Sequence, residues 1–252
     1  MFDTHAHLDD RKFNHDREEV INSLKENGIT TLVNAASDLK SSKDAIALAN
    51  KYDFIYASAG VHPHETKNMS DKTIGEIEKL LLSESKCVAL GEIGLDYYYD
   101  LSERDTQLYW FDKQMQLAEK HSIPVIIHDR DAHEDCLNII KKYNVQGVFH
   151  CFSGSKEMAK ELVNLGWFIS FTGVLTFKNA RRAIEAAQAI DINKIFIETD
   201  CPYMAPEPFR GNRNEPKYVR YVCEKLAEIK KMYIDEVEKI TEINAKKFFG
   251  ID

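Results

Sequence analysis

Short β-rich runs alternate with longer amphipathic runs along the whole 252-residue chain. Several of the short runs, such as Val125–Ile127 and Ile195–Ile197, are continuously apolar. Continuous apolar runs of this length are typical of parallel strands that are covered on both faces. The sequence therefore predicts eight strands, over Phe2–His5, Thr30–Asn34, Phe54–Gly60, Cys87–Glu92, Val125–His128, Gly147–His150, Trp167–Phe171 and Lys194–Glu198.

Amphipathic patterns between and after these runs predict nine helices, and capping residues support several of their ends. Ser70 and Ser155 stand where an N-cap accepts a backbone N–H. Asp235 and Glu236 place negative charge in the first turn of the last helix, and Gly250 follows that helix as a C-terminal stop. The predicted helices cover Arg17–Asn27, Ser42–Tyr52, Lys72–Ser83, Arg104–His121, Ala132–Lys142, Ser155–Leu165, Ala180–Ala189, Lys217–Lys230 and Ile234–Phe249.

Eight β/α alternations in a chain of this length match an α/β fold, a (β/α)8 TIM barrel, in a single domain over residues 1–252. An open doubly wound sheet is the alternative. Polar residues at or just past the carboxyl ends of the predicted strands favour the barrel, where those ends converge on one mouth. In an open sheet they would be spread too widely to meet. These residues are His5, His7, His62, His64, Glu92, His128, His150 and Asp200.

The formal net charge of −8 argues against a protein that coats nucleic acid non-specifically. It is compatible with an enzyme that handles phosphates in a small, locally positive site. We expect no signal peptide and no membrane partner, because no apolar run has the required length or flanks. No obligate protein partner is evident from the sequence. The five cysteines form an unpatterned set, so we expect reduced thiols in a cytoplasmic protein.

His5 and His7 stand two residues apart, so on a strand they point to the same face and can reach one ion together. Four histidines with two carboxylates could hold two divalent ions if one carboxylate bridges them. Imidazole-rich sites suit Zn, Mn, Fe or Co better than Mg, which stays a candidate. Because imidazole ligands are neutral, such a cluster carries a charge of about +2, which favours an anionic substrate.

Six segments of the chain contain the candidate residues: Phe2–Asp9 (FDTHAHLD), Gly60–His64 (GVHPH), Gly91–Tyr97 (GEIGLDY), Ile127–Arg130 (IHDR), His150–Gly154 (HCFSG) and Glu198–Tyr203 (ETDCPY). Taken in order, these segments resemble successive signatures of the TatD family. Any one of these motifs is weak, but six in order are specific. A later segment, Arg210–Pro216, also resembles the family pattern, so the resemblance runs from residue 2 to about residue 222.

The resemblance implies a metal-dependent hydrolase on a TIM barrel, with deoxyribonuclease activity in the studied members of the family. It implies a 3′–5′ exonuclease that trims DNA single strands from an end. It also implies Glu92 as a carboxylate that bridges two divalent ions. The metal ligands implied by the resemblance are His5, His7, Glu92, His128, His150 and Asp200.

In the expected reaction a metal-activated water attacks phosphorus, and the candidate catalytic residues are Asp200 and Glu92. Asp200 is placed to orient that water or to accept its proton. The candidate substrate contacts are His62, His64 and Arg130, although Arg130 could instead pair with a neighbouring aspartate. Weaker candidates are Tyr97, Tyr98 and Tyr99 for base stacking, and Lys178, Arg181 and Arg210 for backbone phosphates; each has a packing or solvated-surface alternative.

Two other functions stay open on the sequence. A hydrolase of the wider amidohydrolase-like superfamily could use the same site on an ester, such as an aminoacylated tRNA, or on a cyclic amide. Many of those enzymes have a lysine at strand four that becomes carboxylated. This chain has Glu92 at that place, and this favours the nuclease family. The non-catalytic alternative is a metal-holding scaffold, against which the intact ligand set argues. DNA or another phosphodiester is therefore the expected partner.

Overall fold

The computed structural model describes residues 1–251. In that range eight strands lie in one sheet, and their spatial order is their order along the chain. The strands are β1 (Phe2–Ala6), β2 (Thr31–Asn34), β3 (Ile55–Ala59), β4 (Cys87–Asp96), β5 (Val125–Arg130), β6 (Gly147–Phe149), β7 (Phe168–Phe171) and β8 (Ile195–Ile197).

Helices alternate with the strands, and two helices follow β8. Ser70 accepts the Thr73 N–H in a capping box, and Ser155 accepts the Met158 N–H, as predicted. Gly250 ends the last helix in the left-handed conformation, with φ 65°. The helices are α1 (Arg17–Ser23), α2 (Leu39–Lys51), α3 (Asp71–Ser83), α4 (Arg104–His121), α5 (His133–Ile140), α6 (Lys156–Asn164), α7 (Arg181–Ala189), α8 (Val219–Lys230) and α9 (Ile234–Phe249).

The sheet has the topology of a (β/α)8 barrel, and the predicted fold class is confirmed. Strand pairs β1–β2, β3–β4, β4–β5, β5–β6 and β7–β8 are parallel. The first strand also meets the chain that follows the eighth, through a parallel bridge between Ala6 and Cys201. Contacts between residues divide the chain into two compact units, the terminal unit (1–34 with 151–251) and the central unit (35–150).

An aromatic cluster fills part of the core of the terminal unit. The ring of Phe196 on β8 lies 4.7 Å from that of Phe168 on β7 and 5.3 Å from that of Phe248 on α9. Phe249 lies 5.9 Å from Phe2 on β1. Since an apolar side chain of this size gains about 2 kcal/mol or more from full burial, the cluster fastens the last helix to the strands.

The fourth strand, in the central unit, is longer than predicted. The predicted end at Glu92 is wrong, because β4 continues to Asp96 and pairs with β5 through Gly94–His128 and Asp96–Arg130. A Cβ atom at Gly94 would lie 2.0 Å from the His128 carbonyl oxygen, so only glycine allows this close approach. The extension carries Asp96 to the end of the strand.

No helix among residues 1–251 is both long and apolar enough to cross a membrane.

Candidate functional site

His5, His7 and Asp200 form the first candidate metal-binding group, and all three belong to the terminal unit. His5 lies on β1 and His7 directly follows it. Their Nε2 atoms are 3.2 Å apart, and Asp200 Oδ1 lies 3.8 Å from the first and 3.3 Å from the second. One ligand atom from each residue lies within 4.8 Å of the other two, close enough for one ion to meet all three.

Backbone hydrogen bonds fix the register of this group. The Asp200 N–H donates to the His5 carbonyl at 2.8 Å, and the His7 N–H donates to the Cys201 carbonyl at 2.8 Å. Asp3, which is fully buried, accepts the Thr199 N–H at 2.9 Å, and its other oxygen lies 2.6 Å from the Thr199 hydroxyl. These hydrogen bonds hold residues 199–201 alongside β1, where Cys201 forms a parallel bridge with Ala6. Burial raises the pKa of Asp3 to about 8.

Asn214 holds the turn that contains Asp200, a role that was not predicted from the sequence. Asp200 has φ 56°, in the left-handed region. The buried Asn214 side-chain amide donates to the Thr199 carbonyl at 2.8 Å and to the Tyr203 carbonyl at 2.6 Å, one on each side of the turn. The signal was available, because Asn214 lies within the Arg210–Pro216 segment that resembles the family pattern.

Glu92 is the centre of the second candidate group, which lies in the central unit. Its Oε1 atom is 2.7 Å from His128 Nδ1, 2.7 Å from His150 Nε2 and 3.5 Å from His62 Nε2. His62, Glu92 and His128 each offer a ligand atom within 4.8 Å of the others. His62, predicted as a substrate contact, thus lies against a predicted metal ligand.

Asp96 joins the predicted substrate contact His64 to the predicted ligand His128. Its Oδ2 atom lies 2.8 Å from His64 Nε2 and 3.0 Å from His128 Nε2. Asp96 lies within the segment Gly91–Tyr97 that resembles the family pattern, but the sequence alone predicts no role for it. The signal would have been the strand extension, because a strand that ends at Glu92 does not bring Asp96 beside His128.

The charges of the second group favour an anionic carboxylate among imidazoles. Burial alone would raise the pKa of Glu92, but the charges of His150 and His62 and hydrogen bonds from His128 and His150 hold that pKa well below its usual range. Burial, with the nearby charge of His128, lowers the pKa of His62 to about 4. Burial also opposes protonation of His128, yet hydrogen bonds to Asp96 and Glu92 raise its pKa.

Both groups fit a divalent cation on the chemistry of their donor sets. Each combines imidazole nitrogens with a carboxylate, the ligands that Zn²⁺ and similar ions take in proteins. Buried charges need partners, and a cation is a suitable partner for Glu92, whose side chain is only 5% exposed. The bridging role of Glu92 between two ions stays a prediction.

Arg130 does not pair with a neighbouring aspartate through any described ion pair; its guanidinium lies against aromatic rings. The guanidinium carbon is 4.0 Å from the ring centre of Tyr98 and 4.7 Å from that of Tyr99. The neighbouring Asp129 pairs with His133 at 2.8 Å. Arg130 and these two rings thus form one surface within the central unit.

Three other basic candidates are exposed in the terminal unit: Lys178, Arg181 and Arg210. Arg181 pairs with Glu185, four residues along α7, at 2.8 Å. The Arg210 guanidinium lies 4.1 Å from the ring centre of Phe177. The pair on α7 is typical of a solvated helix face, and phosphate contacts by these three residues stay predictions.

The family model described as TatD related DNase matches residues 2–250. The chain belongs to the TatD family. It is 42% identical to an uncharacterised metal-dependent hydrolase, YabD of Bacillus subtilis, over 100% of both chains. It is 35% identical to YcfH of Escherichia coli, also an uncharacterised metal-dependent hydrolase, over 100% of this chain and 96% of that one.

Solved structures of TatD proteins share the fold. The crystal structure of YjjV, a TatD homologue from Escherichia coli, superposes with a TM-score of 0.94 at 29% identity, over 100% of this chain and 98% of that one. The predicted family is confirmed, and with it the class of metal-dependent hydrolase. The family motifs contain every residue of the two candidate groups, His5, His7 and Asp200 in one and His62, Glu92, His128 and His150 in the other.

Proposed function

We propose that this protein is a metal-dependent phosphodiesterase that cleaves DNA, as a 3′–5′ exonuclease on single strands. The observation that carries the proposal is the convergence of three imidazole nitrogens within 3.5 Å of one buried oxygen of Glu92. Membership in a family described as TatD related DNase supports a phosphodiester of DNA as the bond that is cleaved.

We further propose that both candidate groups hold divalent cations, with the predicted ligands His5, His7, Glu92, His128, His150 and Asp200. A bound divalent cation supplies two kinds of chemistry, since it lowers the pKa of a water ligand and neutralises charge on phosphoryl oxygens. The pairing of imidazole with carboxylate favours Zn or Mn over Mg. The low pKa of His62 leaves its imidazole neutral at neutral pH, beside the predicted ligand Glu92.

The side chains of the protein supply orientation and proton transfer. Asp200 acts as the general base that orients the attacking water and accepts its proton, and its Oδ1 atom lies 3.3 Å from His7 Nε2. His62, His64 and Arg130 contact the phosphate of the substrate. Asp96, through its hydrogen bonds to His64 and His128, fixes the orientation of both rings.

The test is cleavage of short oligonucleotides, labelled at either end, by protein loaded in turn with Zn, Mn and Mg. We expect metal-dependent release of mononucleotides from the 3′ end of single strands, with slower cleavage of duplexes. The variant His15→Ala is the matched control, because His15 is 75% exposed and lies outside both groups. Cleavage of an ester or a cyclic amide, with no release of nucleotides by fully loaded protein, would contradict the proposal.

A further inference from the structure

Tyr98, Tyr99 and Arg130 form an exposed aromatic surface, here called the tyrosine platform. Tyr98 is 59% exposed and Tyr99 is 53% exposed, although both are large aromatic side chains. Their rings are 5.0 Å apart and nearly perpendicular, and the Arg130 guanidinium lies within 4.7 Å of both ring centres. The contact with Arg130 restrains two rings that would otherwise be free to rotate in water.

The platform adjoins the second candidate group through Asp96. One carboxylate oxygen of Asp96 accepts the backbone N–H groups of Tyr98, at 3.0 Å, and Tyr99, at 2.8 Å. Its other oxygen contacts His64 and His128. The Tyr99 ring also lies 5.4 Å from that of His64 in an edge contact. The same carboxylate therefore sets the position of the platform and of two site histidines.

The preceding residue, Tyr97, does not belong to the platform. Its hydroxyl donates to Asp135 at 2.7 Å, and Arg104 covers its ring at 4.3 Å. Tyr97 has a structural role that accounts for its position, whereas Tyr98 and Tyr99 expose more than half of their surface with no described hydrogen bond at their hydroxyls.

We propose that the tyrosine platform stacks an unpaired nucleobase of the substrate beside the phosphodiester that is cleaved. This inference rests on the proposed function and names the part of the substrate that the site recognises. The rings are nearly perpendicular, so a base stacks on the exposed face of one of them, and the cation of Arg130 suits the neighbouring backbone phosphate. A base inside a duplex is already stacked, so the platform selects single-stranded ends.

The experiment compares two short strands, an oligothymidylate and the same strand with abasic residues at the 3′ end. The metal-loaded wild-type protein is expected to show a KM about tenfold lower for the strand that has bases. The double variant Tyr98→Ala, Tyr99→Ala is expected to raise KM about tenfold for that strand only, with little change in kcat. The pair Tyr98→Phe, Tyr99→Phe, which restores the rings, returns KM toward the wild-type value.

The matched control is Tyr109→Ala, since Tyr109 is 51% exposed but lies on α4, against Trp110 and outside the platform. Equal KM values for the two strands in the wild-type protein, or an unchanged KM in the alanine double variant, would overturn the platform while cleavage itself stands. Failure of the loaded wild-type protein to cleave either strand would instead reject the proposed function, and the platform with it.

Discussion

The buried side-chain amide of Gln107 bonds to both backbone groups of Asp96. Its oxygen accepts the Asp96 N–H at 2.9 Å, and its nitrogen donates to the Asp96 carbonyl at 3.2 Å and to the Ser102 carbonyl at 2.8 Å. Two turns further along α4, Gln114 bonds in the same way to the N–H and carbonyl of Val61, at 2.9 and 3.0 Å. One helix thus fixes the backbone at Asp96 and next to His62.

Replacement of Gln107 by leucine, Gln107→Leu, should destabilise the fold and displace Asp96. The substitution leaves the Asp96 N–H and two carbonyl groups buried without their partner, at a cost of about 3 kcal/mol. Urea unfolding measures this loss, and a fall in kcat accompanies it as His64 and His128 lose their fixed orientation. Gln116→Leu, on the exposed face of the same helix, is the control. Equal stability of the two variants would show that the bonds of Gln107 contribute nothing.

Much of the fold could be predicted from the sequence because its signals are local. The period of the apolar residues predicted eight strands and nine helices, and the predicted bounds of the helices Arg104–His121 and Ile234–Phe249 agree with the structure. The end of β4 was missed because the run Gly91–Gly94 contains two glycines, which usually weaken a strand. Here Gly94 is needed by a backbone contact with His128, which no local signal reveals.

The candidate site was predictable where single residue types carry the chemistry. Histidines and carboxylates after strands could be read directly, as at His5, His7 and Glu92. The residues that hold them could not, because an asparagine or a glutamine gives the same sequence signal on the surface as in the interior. Asn214 and Gln107 gain their roles only from distant backbone groups that the fold brings to them.

The variant Glu92→Gln should lose the cation of the second candidate group. An amide oxygen is a weaker ligand than a carboxylate and carries no charge to offset a dication among imidazoles. The metal content of the purified protein, measured by elemental analysis, should fall from about two ions per chain to about one or fewer. Glu134→Gln, at the exposed start of α5, is the control. An unchanged metal content would remove Glu92 from the set of ligands.

The pair of Asp16 and Arg213 should stabilise the protein at neutral pH and lose that effect in acid. The two guanidinium nitrogens lie 2.8 and 2.6 Å from the two carboxylate oxygens, and Arg213 also donates to the Lys12 carbonyl. These hydrogen bonds from Arg213 lower the pKa of Asp16 below its ordinary value of 3.8. The stabilisation is therefore present above pH 3.8 and disappears as the pH falls through the lowered pKa.

The variant Asp16→Asn tests this sign. Thermal unfolding at neutral pH should show a loss of about 1–2 kcal/mol relative to the wild-type protein, because the bond is bidentate and partly buried. The difference between the two proteins should shrink below pH 3.8. Asp44→Asn is the control, since Asp44 is 47% exposed and pairs only with Lys40 among the described contacts. A difference that stays constant as the pH falls would assign the loss to packing instead.

The variant Asp200→Asn should abolish turnover while the fold survives. The amide keeps the shape of the side chain, and the backbone bonds from Asp200 to His5 and from His7 to Cys201 are unaffected. The side-chain amide cannot accept the proton of the attacking water, so kcat should fall about 10²-fold or more. Circular dichroism and thermal unfolding should match the wild-type protein, and Asp10→Asn, near the surface of the same unit, should retain activity. Turnover that persists in Asp200→Asn at the wild-type rate would mean that another group takes the proton.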